Sequence, residues 1–159
     1  MARIVFDLDG TLIDSAPDIA AAANQTLAEI GVAPLSLAET RSFVGAGAPV
    51  FVSRMAAARA LPDPDALLPR FLHHYQGAVS ETEIYAGVEA VLRQLLSAGH
   101  HLGLCTNKPS APTNAVLAHF KWGQMFEVVI GGDSLPVRKP DPTPLHAALA
   151  ALGDGPSIY

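Results

Sequence analysis

The sequence contains a single cysteine and no run of basic residues. Because Cys105 has no partner within the chain, no internal disulfide is possible, which suits a reducing compartment and predicts a cytoplasmic protein. The 10 lysines and arginines are outnumbered by 15 aspartates and glutamates, which gives a formal net charge of −5. Nucleic-acid binding requires a basic surface, so we expect no nucleic-acid partner.

Long apolar runs are also missing, although 50% of the 159 residues are hydrophobic. A membrane-spanning helix needs about 20 consecutive apolar residues, and no stretch of this chain reaches that length. The N-terminus runs directly into a predicted strand, which leaves no room for a signal peptide. We therefore expect no membrane partner. The apolar content suffices for the core of one domain, or of one domain with an insertion.

What the sequence does contain is a pair of aspartates in its first apolar run, Ile4-Val5-Phe6-Asp7-Leu8-Asp9-Gly10-Thr11. Side chains at positions i and i+2 of a strand point to the same face, so Asp7 and Asp9 are predicted to project together. Two like charges brought together cost free energy unless a cation compensates them, and Mg²⁺ commonly joins carboxylates to a phosphate. One carboxylate could then attack phosphorus while the other moves protons. The alternative interpretation is two solvated acids in an ordinary turn.

The first half of the chain changes from a strand pattern to a helical one. Residues 3–8 form a nearly continuous apolar run, typical of a strand covered on both faces. From Ser15 to about Glu83 the hydrophobic periodicity is helical and no strand is indicated. Capping signatures stand at Ser15, with Asp18, and at Ser36, with Glu39. We expect four helices, over about 15–30, 36–43, 49–60 and 65–79.

After residue 84 helices and strands alternate. We expect helices near 88–98, 111–120 and 144–152, strands at 101–105 and 127–130, and the beginning of a further strand at 158–159. This alternation predicts parallel βαβ units with right-handed crossovers. The predicted domains are a discontinuous α/β core, residues 1–14 plus 84–159, and an inserted helical unit, residues 15–83.

Three predicted strand ends carry polar residues that suit one chemistry. The carboxyl ends of parallel strands meet at one edge of the sheet, where open α/β proteins place their active sites. The two aspartates follow the first strand, Thr106, Asn107 and Lys108 follow the second, and the third leads to Lys139. The Thr106 hydroxyl could hold phosphate oxygens, and Lys139 could neutralise the charge of a transferring phosphoryl group. Taken singly, residues 106–108 also fit an ordinary turn and residues 139–142 a rigid linker.

These motifs resemble those of the haloacid dehalogenase superfamily: Asp-Leu-Asp-Gly-Thr-Leu at 7–12, Thr-Asn-Lys at 106–108 and Lys-Pro-x-Pro at 139–142. The resemblance implies a Rossmann-like parallel sheet core with an inserted all-helical cap. It implies that Asp7 is the nucleophile that forms an aspartyl-phosphate, and that Asp9 protonates the leaving group and then activates water. Thr106 would bind the phosphoryl group and Lys139 would pair with Asp7. The implied cofactor is Mg²⁺, held by the Asp7 carboxylate and the Asp9 main-chain carbonyl.

Within the superfamily, phosphatases and phosphomutases keep the acid at the position of Asp9, whereas the dehalogenases lack it. The segment Arg41-Ser-Phe-Val-Gly45-Ala-Gly47-Ala-Pro resembles the substrate loop of phosphoglycolate phosphatases. This implies that Gly45 and Gly47 let the cap backbone approach a small substrate, and that Arg41 meets the substrate carboxylate. The other predicted substrate-binding residues are Gly10, Thr11 and Asn107.

The resemblance thus implies a Mg²⁺-dependent phosphoric monoester hydrolase for a small phosphorylated substrate, with 2-phosphoglycolate as the first candidate. We expect a monomer or a homodimer. Two alternatives stay open. One is phosphoryl transfer of the β-phosphoglucomutase kind, and the other is a non-catalytic interaction module whose exposed first-strand edge pairs with another chain.

A fourth motif of the superfamily has no counterpart here. It is a Gly-Asp followed by another acid just after the fourth strand, and one of those acids binds the metal, whereas this sequence stops at Tyr159. We therefore expect a core sheet that is incomplete at the C-terminus, and a chain that is the front part of a longer protein. Lacking that ligand, the 159-residue chain is predicted to bind Mg²⁺ weakly and to be nearly inactive.

Overall fold

The computed structural model describes residues 1–159 and contains two sheets and seven helices. The strands are Arg3–Phe6 (β1), Ile13–Asp14 (β2), Glu83–Ile84 (β3), His101–Cys105 (β4), Val128–Ile130 (β5) and Ser157–Ile158 (β6). The helices are Ala16–Ala28 (α1), Leu37–Phe43 (α2), Ala48–Ala58 (α3), Pro64–Tyr75 (α4), Val88–Ser97 (α5), Ser110–His119 (α6) and Thr143–Ala151 (α7). No helix is long and apolar enough to cross a membrane.

The main sheet is parallel, with the strand order β5-β4-β1-β6. Side chains of adjacent residues in β1 face opposite sides, so Ile4 packs in a cluster with Leu92 of α5 and Val116 of α6. Its neighbour Val5 packs in another cluster with Ala148 of α7. Helices therefore cover both faces of the sheet, which explains the continuous apolar run predicted for β1. The α/β fold class predicted from the sequence is confirmed.

Helices α1 to α4 bury a separate hydrophobic cluster. Three aromatic side chains form its centre: Phe71 stacks on Phe51 with ring centroids 5.1 Å apart, and Tyr75 lies 5.1 Å from Phe71. Because these apolar faces pack against one another, the four-helix unit, called the cap below, has a core of its own. The exact domain boundaries stay a prediction.

A short antiparallel pair joins the cap to the main sheet and was missed by the sequence analysis. Strands β2 and β3 pair Ile13 with Ile84 and Asp14 with Glu83, next to the two predicted domain boundaries, 14/15 and 83/84. Each strand has two residues, too few for an alternating pattern to be recognised. The two chain crossings between cap and core therefore lie side by side.

The two predicted helix caps differ in the structure. The capping box of Ser36 and Glu39 is present in full. Ser15 does precede α1, but its side chain makes no capping bond, and its hydroxyl donates to Asp9 Oδ1 at 2.5 Å instead. Asp18 accepts from the Thr82 hydroxyl at 2.6 Å and from the Glu81 N–H at 3.0 Å. Ser15 therefore connects the start of the cap to the core, and Asp18 connects the start of the cap to its end.

Candidate active site

A cavity that is partly open to solvent lies between the cap and the carboxyl edge of the main sheet, with about 420 Å³ of empty space when the adjoining open solvent is included. The sheet supplies its polar wall: Asp7, Asp9, Thr106, Asn107, Lys108 and Pro109. The cap supplies the facing wall, which is mostly apolar: Ile19, Val44, Gly45, Gly47, Ala48, Phe51, Phe71 and Tyr75. The motifs that follow β1 and β4 thus meet at one edge of the sheet, as parallel strands require.

Asp7 and Lys139 form an ion pair at the end of β1. The Lys139 Nζ lies 2.9 Å from Asp7 Oδ1 and donates to the Cys105 carbonyl at 2.7 Å. The Asp7 side chain is 42% exposed, so a ligand can reach it. The ammonium places a positive charge beside this carboxylate, where it can also offset the charge of a bound anion. Asp7, Asp9, Thr106 and Lys139 are therefore brought together in one site.

Asp9 is held by two donors that both reach Oδ1. The Ser15 hydroxyl donates at 2.5 Å, and the Lys108 ammonium donates at 3.1 Å. Lys108 also bonds the Tyr75 hydroxyl, and its side chain is only 1% exposed. Burial raises the pKa of Tyr75 well above its usual value, and the negative charges of Asp9 and Asp18 raise it further. Tyr75 is therefore a neutral phenol that can accept a hydrogen bond from the ammonium.

Thr106 and Asn107 continue the polar wall after β4. Both are buried, and the Thr106 hydroxyl accepts from the Lys108 N–H at 3.1 Å. The Asn107 amide donates to the Gly45 carbonyl of the cap and to the Lys139 carbonyl of the core, each at 3.0 Å. Because both of its N–H donors are used, Asn107 fastens the cap loop to the core. A substrate contact of Asn107 stays a prediction; its main-chain N–H and its side-chain oxygen Oδ1 have no hydrogen-bond partner in the structure.

The two cap glycines approach the core closely at one position. Gly47 has φ +89°, and a Cβ there would lie 3.2 Å from the Asn107 carbonyl oxygen and 3.0 Å from the Arg138 guanidinium. Gly45 has φ +117° and open space around it. Both positions favour glycine by their backbone, but only Gly47 needs it for space. Their role in substrate binding stays a prediction, and both line the cavity.

The structure does not bring the other predicted substrate contacts into this cavity. Arg41 pairs with Asp14 through two bonds of 2.9 and 2.7 Å. Hydrogen bonding from the Arg41 guanidinium lowers the pKa of Asp14, against the opposing effect of burial. Gly10 and Arg41 line a neighbouring cavity, and Thr11 is exposed. Arg41 is instead paired with Asp14, the last residue of β2.

Sequence reasoning missed three side chains that shape the site. It noted Lys108 in the Thr-Asn-Lys run but gave it no function. It interpreted Ser15 only as a helix cap, and it gave Tyr75 no function. Tyr75 falls at helical spacing with Phe71 and Leu67, a pattern that indicates a core position. A tyrosine at a core position could have indicated a polar contact, because the hydroxyl of a buried tyrosine usually has a hydrogen-bond partner.

Oxygen atoms suited to a hard divalent cation are available beside Asp7. The Lys139 contact uses Asp7 Oδ1, and no hydrogen bond of the turns and loops ends on the Asp9 main-chain carbonyl. A carboxylate and a carbonyl are donors that Mg²⁺ accepts. No cluster of three or more His, Cys, Asp or Glu side chains suited to a metal occurs in the structure. The predicted pair of oxygen donors fits Mg²⁺, with no third acidic side chain beside it.

Comparison with known proteins decides the family. The haloacid dehalogenase-like hydrolase family model matches residues 4–157. The chain belongs to this family. A phosphoglycolate phosphatase of Cereibacter sphaeroides is 48% identical to this hydrolase over 165 residues, covering 100% of this chain and 75% of that protein. Another, of Rhodospirillum rubrum, is 43% identical over 159 residues, covering 94% of this chain and 66% of that protein.

Solved structures agree on the fold. The hydrolase superposes on the crystal structure of a predicted phosphoglycolate phosphatase from Haemophilus somnus with a TM-score of 0.87 and 28% identity. That match covers 94% of this chain and 71% of the other. The superfamily inferred from the three motifs is thereby confirmed. The predicted enzyme class, a phosphoric monoester hydrolase, is confirmed as well.

Proposed function

We propose that this hydrolase is a Mg²⁺-dependent phosphatase that cleaves a small phosphomonoester, 2-phosphoglycolate as the first candidate, through an aspartyl-phosphate on Asp7. The observation that carries the proposal is the convergence of Asp7, Asp9 and Thr106 on one cavity, with Lys139 2.9 Å from Asp7. A nucleophile, a proton carrier and charge-neutralising groups at one point are what phosphoryl transfer to a carboxylate requires.

In the first step an oxygen of the Asp7 carboxylate forms a bond to phosphorus. The bond between phosphorus and the ester oxygen breaks, and its electron pair stays on the leaving oxygen, which takes a proton from the Asp9 carboxyl. Lys139 and the Thr106 hydroxyl stabilise the charge of the phosphoryl oxygens during transfer. In the second step water attacks phosphorus, gives its proton to the Asp9 carboxylate and releases Asp7.

The cap wall favours a small substrate and a limited amount of water. Phe51, Phe71 and Ile19 offer no hydrogen bonds to a ligand and face the polar residues across the cavity. An apolar wall closing over a polar site strengthens the electrostatic interactions inside it. The relatives at 48% and 43% identity are phosphoglycolate phosphatases, which makes 2-phosphoglycolate the first substrate to test.

The proposed metal site consists of the Asp7 carboxylate and the Asp9 main-chain carbonyl. When bound, Mg²⁺ supplies positive charge that offsets the negative charge of the phosphate and of Asp7. Asp9 Oδ1 is already bonded to Ser15 and Lys108. The proposal therefore assigns the Asp9 side chain to proton transfer and only its main-chain carbonyl to the metal.

The test is phosphate release from 2-phosphoglycolate, β-glucose 1-phosphate and pyrophosphate, with Mg²⁺ and with a chelator. The 159-residue chain is assayed beside the same chain joined to the C-terminal quarter of the Cereibacter relative. We expect release from 2-phosphoglycolate to be faster than release from the other two compounds. Asp7→Asn should abolish release in both without shifting the unfolding midpoint, and the exposed Asp154→Asn serves as a control. Release that survives Asp7→Asn would refute the proposed intermediate.

The same assay separates the alternatives left open by the sequence. Phosphoryl transfer from the enzyme to a sugar phosphate rather than to water would indicate the mutase-like activity. An interaction module would release no phosphate from any substrate in either chain and would associate with rising concentration in light scattering. The cytoplasmic location and the choice between monomer and homodimer stay predictions.

A further inference from the structure

The two carboxyl oxygens of Asp9 differ in their hydrogen bonding. Oδ1 accepts the Ser15 hydroxyl and the Lys108 ammonium, whereas no hydrogen bond or ion pair of the structure ends on Oδ2. The two donors fix the orientation of the carboxyl group through Oδ1. Oδ2 is therefore the oxygen that can contact a ligand.

Phosphate binding does not account for the burial of Lys108. Its side chain is 1% exposed, and two of the three N–H donors of its Nζ are bonded, to Asp9 and to the Tyr75 hydroxyl. The charge of Asp7 is met by a different lysine, Lys139. A buried lysine is costly unless its charge is paired and its donors are bonded. Here the Lys108 ammonium is paired with the Asp9 carboxylate and bonded to the hydroxyl of Tyr75, a cap residue.

Tyr75 brings the cap into this arrangement. It ends helix α4, and its ring packs on Phe71 within the cap cluster. The Lys108 Nζ lies 4.5 Å from the centre of the same ring. A continuous path of contacts therefore leads from the cap core through Tyr75 and Lys108 to Asp9. Ser15, which precedes the first cap helix, contacts the same carboxyl directly.

We propose that Lys108 is a positioning residue that fixes the Asp9 carboxyl for proton transfer, and that Tyr75 secures Lys108 from the cap. The proposal rests on the proposed function, because it assigns Asp9 the proton steps. Lys108 itself neither donates the transferred proton nor binds the phosphoryl group. The effect of losing it therefore depends on how strongly the leaving group needs a proton.

The test compares two phosphates of similar size. Ethyl phosphate releases an alkoxide that must be protonated, whereas acetyl phosphate releases acetate, which leaves without a proton. We expect Lys108→Met to lower kcat/KM for ethyl phosphate about 100-fold, a typical contribution of a general acid, and that for acetyl phosphate less than about 5-fold. Tyr75→Phe keeps the ring and should change the ratio in the same direction by about 5-fold, as for one lost hydrogen bond. Both constants are measured on whichever of the two chains above turns over.

The controls separate this proposal from its rivals. Lys121→Met, which removes an exposed lysine far from the cavity, should leave both constants unchanged. Equal losses on both phosphates, or an unchanged ratio in Tyr75→Phe, would overturn the positioning function. A loss confined to 2-phosphoglycolate and seen only in KM would instead make Lys108 a contact of the substrate carboxylate. If the longer chain without substitutions cleaved neither ethyl phosphate, acetyl phosphate nor 2-phosphoglycolate, the proposed function itself would be refuted.

Discussion

The two walls of the cavity are built from opposite kinds of residue. The sheet wall carries two carboxylates, a hydroxyl, an amide and an ammonium, and each is bonded to another protein group or lies open to a ligand. The cap wall carries aromatic and aliphatic side chains that belong to a separate hydrophobic cluster. Changes to the sheet wall should therefore alter the chemistry, whereas changes to the cap wall should alter stability first.

The contrast has one exception on each side. Tyr75 is a cap residue whose hydroxyl reaches the polar wall, and Asn107 is a core residue whose amide reaches the cap loop at Gly45. Both are contacts between cap and core, so they depend on the relative position of the two units. The division between chemistry and packing thus holds within each unit and ends at their junction.

Lys139→Met should show a large effect on the chemistry of the sheet wall, second to the loss of Asp7, which Lys139 contacts. It removes the ammonium 2.9 Å from the proposed nucleophile, and losing one such charge-stabilising donor commonly lowers kcat about 100- to 1000-fold. Because Lys139 is partly exposed, we expect little change in the free energy of unfolding. Steady-state kinetics and urea unfolding of the same variant measure both quantities. If the variant lost stability but retained its kcat, Lys139 would contribute to folding rather than to the chemistry.

Phe71→Ala should show the opposite behaviour on the cap wall. Phe71 is buried between Phe51 and Tyr75, and such a truncation costs about 3–5 kcal/mol of unfolding free energy. The exposed Val50→Ala on α3 is the matched control and should cost well under about 1 kcal/mol. The single tryptophan, Trp122, is buried in the core cluster and reports on the core alone. If its fluorescence midpoint stays fixed while circular dichroism shifts, the cap unfolds separately from the core.

The sequence sufficed for the features that depend on neighbouring residues. The strand His101–Cys105 was predicted at its observed bounds, and the box of Ser36 and Glu39 forms as its spacing indicates. We could predict that the motifs at the strand ends meet, because parallel strands share one edge.

Contacts between cap and core could not be predicted from the sequence. The bond of Lys108 to Tyr75 joins residues 33 positions apart, and it depends on how the cap sits on the sheet. The pairing of Arg41 with Asp14 was not foreseen for the same reason, since Asp14 lies 27 positions away in a strand of two residues. The contact of Arg41 with a substrate carboxylate stays a prediction.

The smallest expected effect concerns the ion pair of Asp14 and Arg41 beside the β2–β3 junction. Arg41 holds the pKa of Asp14 below its usual value, so the pair contributes stability that is present above about pH 4 and is lost as the pH falls through the lowered pKa. The side chains are 26% and 46% exposed, and solvent screening limits the contribution to less than about 1 kcal/mol. In urea unfolding between pH 7 and pH 2, Asp14→Asn should lose less stability on acidification than the wild type or the exposed Asp154→Asn. Equal losses in all three proteins would show that the junction is held by the β2–β3 hydrogen bonds and apolar packing without help from this pair.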